Sequence, residues 1–417
     1  VSIKAKKVSK ILLVGSLPPP YNGQSAAFSP IVGSFAPGEA FLVNITKYRS
    51  FIGNTLWTML GTLYYFAFYR FDTVYFTSSR SMLGFVKDIP LLLLGRWLKK
   101  RMVNHLHGAN FKSFYDNSGL LKPLIGYCYR KVDTSIVLFE EMRKEFSDFP
   151  SMKVRVIGNC YEKLFDLQDD SALLKQSRVS PLTDLITPGK FPAPLGQNPA
   201  PGLCRGVDTD LITPGKFPAP LGQNPAPGLC RGVVYLSGLM KSKGILEFLD
   251  ACEVVLQHRR DVTFTIAGLP CSDNFLGKRA IAELFFRKYG SLKKQFPDHI
   301  QYVGEITGQA KVEMLYGSDI FVLPTWHPSE AFPISILEAM RSGNAIVSTA
   351  HNFLPSLVKP ENGILVNPHS ISEIAEAIET LLRDPVRLQT IQQHNTAFAH
   401  KEYNQEKYVN AVRSVCQ

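Results

Sequence analysis

Two carboxylates, Glu330 and Glu338, flank seven residues in the segment PSEAFPISILEAMRSG, residues 328–343. Pro333 stands where a helix can start, since its missing N–H and fixed φ suit a first turn. Backbone around Ala331, Phe332, Pro333, Ile334 and Ser335 then presents free N–H groups as an anion site suited to a diphosphate. Glu338, on that helix, lies roughly 8–12 Å beyond Glu330 at about 1.5 Å per residue. One carboxylate can therefore meet a sugar and the other a ribose, whose paired hydroxyls donate charge-assisted bonds of about 1.5–3 kcal/mol each. His105 and His107 share one strand face, a spacing open to a metal pair, but no third ligand cluster accompanies them. Arg80 and Lys87 follow Thr77-Ser78-Ser79 and are placed on the loop beyond a strand, facing either an anionic acceptor or solvent.

The elements that must hold these residues are short β-type runs alternating with longer helical patterns. The first series is 11–14, 73–76, 102–106, 135–139 and 154–157; the second is 233–236, 263–267, 300–303, 320–323 and 345–348. Such alternation predicts two parallel-sheet α/β domains, with ligands beyond the carboxyl ends of the strands and in the cleft between domains. The expected divisions are residues 1–160, a linker over 161–232, a second domain over 233–395, and a C-terminal helix over 396–417 packing back on the first domain. The linker contains an oddity. Residues 183–207, TDLITPGKFPAPLGQNPAPGLCRGV, recur without a mismatch at 209–233. Two proline-rich copies cannot stack as a solenoid and read as a poorly ordered duplicated insertion. Without 183–233 the chain keeps 366 residues, an ordinary two-domain length.

Charge is divided unequally. The whole chain of 417 residues carries +11, is 45% hydrophobic and only 19% charged, which excludes a wholly disordered protein. Residues 1–160 hold 21 Lys and Arg against 9 Asp and Glu, and the remainder is close to neutral. The first domain therefore calls for an anionic partner. Nucleic acid is not expected, because no recognition motif or Arg–aromatic interleaving is present. Seven irregularly spaced cysteines without a Cys-x-x-Cys pair argue for a reducing cytoplasm and against structural zinc. The lysines before Ile11 resemble a signal peptide only superficially, since the apolar run stops at Val14. Residues 51–69 lack any charge but include Asn54, two glycines and three tyrosines, and read as a buried or interfacial helix rather than a span. DIPLLLLGRWLKKR, 88–101, suits a helix resting on an anionic bilayer or a core helix with a solvated end.

The context Ser-Glu-Ala-Phe-Pro, Leu-Glu-Ala-Met and Ser-Gly around Glu330 and Glu338 resembles the E-x7-E signature of family 4 (group 1) glycosyltransferases. The resemblance continues through Tyr235 to Gly244 (YLSGLMKSKG) and Asn362 to Val366 (NGILV), and covers essentially the whole chain except the repeat. It implies the GT-B fold: two Rossmann-like parallel-sheet domains facing across a cleft, here with a Pro-rich tandem-repeat insertion between them. It also implies that Glu330 contacts the donor sugar and Glu338 the nucleotide ribose. Lys243, before Gly244, matches the family's diphosphate lysine, while the preceding Arg position falls on Gly238, with Lys241 as the nearby substitute. Gly23, in Pro18 to Ser25 after the first strand, matches the glycine that lets backbone approach donor phosphate. His107 before Gly108, at the end of the third strand, matches the histidine near the donor sugar, and Asn159 the domain-crossing segment with Gly158 for Pro. Asp208-Thr209-Asp210 imitates the metal-binding motif of the other main glycosyltransferase fold, but straddles the repeat junction and is rejected as a metal site.

The implied activity is retaining transfer from a nucleotide-sugar donor to a lipid-linked, polyprenyl-linked or other anionic glycan in cell-surface polysaccharide synthesis, such as lipopolysaccharide. No cofactor or divalent metal is expected, because Lys243 and the helix dipole neutralise the diphosphate. The chain is expected in the cytoplasm, peripheral to the inner face of the plasma membrane through its basic first domain. The competing readings are a non-catalytic or impaired nucleotide-sugar-binding protein and a nucleotide-sugar epimerase of the same fold.

Overall fold

The computed structural model describes residues 10–19, 21–48, 50–167 and 231–417. Almost all of the duplicated segment, with Asp208-Thr209-Asp210, lies outside the described residues, as do Lys4, Lys6 and Lys7.

The first domain runs β1 (Ile11–Gly15), α1 (Gly23–Gly33), β2 (Ala40–Asn44), α2 (Phe51–Phe68), β3 (Thr73–Thr77), α3 (Met82–Trp97), β4 (Arg101–His105), α4 (Phe111–Asp116), α5 (Lys122–Tyr129), β5 (Thr134–Val137) and β6 (Lys153–Val156). Its strands form one parallel sheet in the order β2-β1-β3-β4-β5-β6. The second domain contains β7 (Arg231–Leu236), α6 (Ile245–His258), β8 (Val262–Ala267), α7 (Lys278–Gln295), β9 (Ile300–Gly304), α8 (Gly308–Tyr316), β10 (Ile320–Leu323), α9 (Ile334–Arg341), β11 (Ala345–Thr349), α10 (Leu354–Leu357), β12 (Gly363–Val366) and α11 (Ile371–Arg383). Its parallel order is β12-β11-β10-β7-β8-β9. Helices α12 (Pro385–Glu402) and α13 (Gln405–Cys416) complete the chain.

Strands covered on both faces read as apolar runs in which only small Ser and Thr intervene, and β1, β3, β5, β10 and β11 are buried throughout. The two strands that the apolar-run reading misses, β2 and β12, are sheet edges and are only partly covered. Their addition makes the strand ending in His105 the fourth of its domain rather than the third.

Helix α13 crosses back to the first domain. Tyr408 donates to the Ala27 carbonyl at 3.0 Å, Thr73 to the Cys416 carbonyl at 3.1 Å, and Arg101 to the Val415 carbonyl at 2.8 Å. Nearer the cleft, Phe332 stacks on Phe139 with ring centroids 4.6 Å apart, and Asn159 Nδ2 donates to the Phe332 carbonyl at 3.1 Å. These contacts fix the angle at which the two sheets face each other.

Two membrane-related expectations resolve differently. Residues 51–68 do form one helix, α2, capped by the Ser50 hydroxyl at Gly53 N, 2.8 Å. Within α3, Leu91 and Leu92 are buried while Leu83, Val86 and Trp97 are exposed, so that helix packs one face on the core and leaves the other uncovered. Among the described residues no helix is long and apolar enough to cross a membrane.

Candidate functional site

Lys243 ends a 3-10 turn, Lys241–Lys243, which Gly244 closes in the left-handed region at φ +75°. A Cβ on Gly244 would fall 2.2 Å from the Pro324 carbonyl oxygen, so only glycine lets this turn press against the end of β10. The turn is fastened from several sides. Asp273 accepts from Ser242 N at 2.8 Å, Ser242 Oγ meets His327 Nδ1 at 2.8 Å, and Trp326 N donates to the Ser242 carbonyl at 2.8 Å. Burial pushes the Asp273 carboxyl up, but hydrogen bonds from Ser242, Leu276 and Phe275 outweigh it and hold the pKa at about 2.

This framework brings Lys243 and Glu330 together from 87 residues apart. Their side chains form an ion pair, and Thr325 Oγ1 donates to the same carboxylate at 3.2 Å. Pro333 caps α9, and the N–H groups of Ala331, Phe332, Ile334 and Ser335 donate to no protein acceptor among the described residues. The Phe332 ring is committed to the domain interface, and Ile334 packs in a cluster with Phe28 and Tyr75, so these two offer a ligand only backbone. Lys241 makes no ion pair among the described residues. A Cβ at Gly238 would sit 3.6 Å from Cys271 Sγ and Met240 Cε, ordinary contact, so the backbone there would admit a side chain.

Glu338 points into a drier place, deeper along α9. Its carboxylate receives Lys311 Nζ at 2.7 Å, and the same ammonium reaches Glu162 of the interdomain crossing at 2.9 Å. Burial drives the Glu338 pKa up, Lys311 restrains it, and the outcome is about 7. Sequence reasoning misses Lys311. Nothing in its local sequence sets it apart, and it becomes a partner of Glu338 only because α8 packs against α9.

Across the cleft, His107 follows β4 with its ring stacked on His105, centroids 3.9 Å apart. Both His107 nitrogens are sealed from solvent without a well-formed hydrogen bond to protein. Burial and the Arg80 charge lower its pKa to about 3, against a smaller opposing effect of Asn159, so the ring is neutral. His105 is held by the Tyr75 hydroxyl at 2.6 Å. Among the described residues no group of three His, Cys, Asp or Glu side chains gathers as a metal site. Gly23 opens α1, and a Cβ there would meet nothing within 4 Å.

Arg80 lies on the loop after β3 and donates to the Ala109 carbonyl at 2.9 Å. Gly108 makes room for it, since a Cβ at 108 would fall 2.1 Å from Arg80 Nη1. Lys87 departs from the sequence reading. It lies on α3 rather than on the loop, because Ser81 caps that helix at Gly84. Its ammonium is paired with Asp88 at 2.7 Å and bonded to Ser79 Oγ at 2.8 Å. Arg80 and Lys87 both line a cavity of about 480 Å³ between the domains, with Gln24, Ile45 and Asn110 on one side and His327, Pro328 and Ser329 on the other. Among the described residues no carboxylate lines it. Its second-domain wall leads straight to Glu330.

Fold and site together define the GT-B class, two facing parallel-sheet domains with a cationic cradle in the cleft. Residues 230–405 match the family model described as glycosyl transferases group 1. An alpha-D-kanosaminyltransferase of Streptomyces kanamyceticus is 26% identical over 158 residues, 37% of this chain and 36% of that protein. An N,N'-diacetylbacillosaminyl-diphospho-undecaprenol alpha-1,3-N-acetylgalactosaminyltransferase of Campylobacter jejuni is 36% identical over 74 residues, 18% of this chain and 19% of that one. The matches to these curated relatives thus span well under half of their length. Anabaena HepE, solved with UDP and glucose, shares the fold at TM-score 0.64 and 15% identity, covering 98% of this chain and 99% of that one.

Proposed function

We propose that this chain transfers a sugar, with retention, from a nucleotide-sugar donor to a lipid-linked diphosphate or other anionic glycan presented at the inner face of the plasma membrane. The observation that carries the reading is the Lys243–Glu330 pair at the start of α9, facing the Arg80-lined cavity. The donor diphosphate draws Lys243 from Glu330 and takes the unpartnered N–H groups of α9, while the released Glu330 accepts from sugar hydroxyls. Glu338 receives the ribose hydroxyls. Retention by double displacement needs a carboxylate close beneath the anomeric carbon; Glu330 is engaged with the sugar hydroxyls in this reading, and among the described residues no first-domain carboxylate lines the cavity. The same-face route fits better: the departing diphosphate takes the acceptor's proton, and the protein contributes position and electrostatics. Such chemistry needs no cofactor or divalent metal. Neutral His107 serves as a hydrogen-bonding group toward the sugar, and Arg80 meets the acceptor's phosphate.

The test is incubation with UDP-, GDP- and ADP-sugars and a polyprenyl-diphosphate sugar, followed by NMR of the product's anomeric centre. An inverted product overturns the same-face route. A second reading, an impaired donor-binding protein, draws on Gly238 at the usual Arg position; binding of UDP-sugar without any turnover would favour it.

A further inference from the structure

Helix α2 is inside out. Its buried residues are the small Thr58, Gly61 and Thr62, which meet the sheet, while Ile52, Leu56, Leu60, Leu63 and Phe68 face solvent. Leu60 is 62% exposed and Phe68 74%, and the helix carries no charge at all. The neighbouring α3 extends the apolar face with Leu83 and Val86 at one end and Trp97 at the other. Tyr65 and Phe66 pack against the core, but core burial cannot explain a surface on which Ile52, Leu56, Leu60, Leu63 and Phe68 point away from it.

The rim supplies the chemistry of the partner. Between residues 45 and 101 the acids are Asp72 and Asp88, and Asp88 is buried against Lys87, while Lys47, Arg70 and Lys99 are exposed. Where α2 and α3 end, a groove of about 350 Å³ joins the apolar Phe68 and Leu98 to Arg70 and Lys100. Apolar ridge, basic rim and an amphipathic groove together match an acidic lipid surface. We infer that the outer face of α2 and α3 docks on an anionic bilayer, with the groove taking an acidic headgroup. The start of α3 also borders the interdomain cavity through Ser81 and Lys87, so docking would set the cavity beside the lipid. The surface argument stands without the acceptor reading, which it deepens by placing the acceptor's lipid.

Flotation of the full chain with phosphatidylcholine vesicles, with and without 30% phosphatidylglycerol, tests it. Wild type binds the anionic vesicles and is released by salt. Leu56→Gln/Leu60→Gln/Leu63→Gln lowers binding at least tenfold, and Arg70→Glu/Lys99→Glu abolishes the preference for anionic lipid. Thermal stabilisation by UDP is unchanged in both, which separates docking from the donor reading. Hydrogen exchange on wild type needs no variant: anionic vesicles slow exchange over residues 51–68. No binding by wild type, no protection, or a wild-type dimer that the triple variant dissociates overturns the inference.

Discussion

Lys311→Met removes the cation 2.7 Å from Glu338 and leaves a buried carboxyl without its partner. With Lys311 present, burial has already raised Glu338 from 4.5 to about 7, a destabilisation of its charged form by about 3 kcal/mol. Loss of the lysine raises it further. An attraction of even ~1.4 kcal/mol is worth about one pH unit, which takes the ionised fraction at pH 7 from roughly half to about a tenth. Ribose hydroxyls then meet a neutral acceptor, and exchanging charge-assisted for neutral bonds costs about 1 kcal/mol each, roughly fivefold in affinity per bond. Titration calorimetry with UDP between pH 6 and pH 9 reads this directly. Wild-type affinity rises through pH 7 and levels off; the Lys311→Met curve is displaced upward by a unit or more; Glu338→Gln is weak and flat. Stability runs the other way, since a raised carboxyl pKa favours folding below about 4.5 and loses that contribution as pH rises through 7. An unchanged affinity profile in a folded Lys311→Met protein would refute the reasoning.

Other outcomes follow from the same geometry. Gly238→Arg, whose Cβ has room, raises UDP affinity about tenfold in calorimetry by adding a bidentate donor. Gly244→Ala forces a Cβ onto the Pro324 carbonyl in a left-handed turn, and thermal melting shows a loss of roughly 2 kcal/mol or more together with weakened UDP binding. Arg80→Lys raises the acceptor KM at least tenfold while leaving UDP affinity unchanged, because its guanidinium faces the acceptor cavity. Excision of residues 183–208, which leaves one copy of the repeat and the start of β7 in place, leaves turnover unchanged, as a tolerated insertion should; a large gain in kcat would mean that the segment hinders domain closure.

Much of this protein is legible in the sequence. Parallel strands buried on both faces are dominated by apolar and β-branched residues, so ten of the twelve strands among the described residues and the two-domain architecture can be read from such runs. Glu330, Glu338 and Pro333 are legible because a helix start and its spacing are local. The edge strands β2 and β12 escape although each carries a short apolar run, whereas the other two edges, β6 and β9, are found; edge position does not by itself hide a strand. Pairings across the chain are decided only by the tertiary structure. Lys243 with Glu330, Lys311 between Glu162 and Glu338, and Lys87 with Asp88 depend on how helices and turns pack, which no spacing encodes. The same holds for α2: its uncharged sequence leaves burial and exposure equally open, and only packing on the sheet turns Thr58, Gly61 and Thr62 inward and Ile52, Leu56, Leu60, Leu63 and Phe68 to solvent.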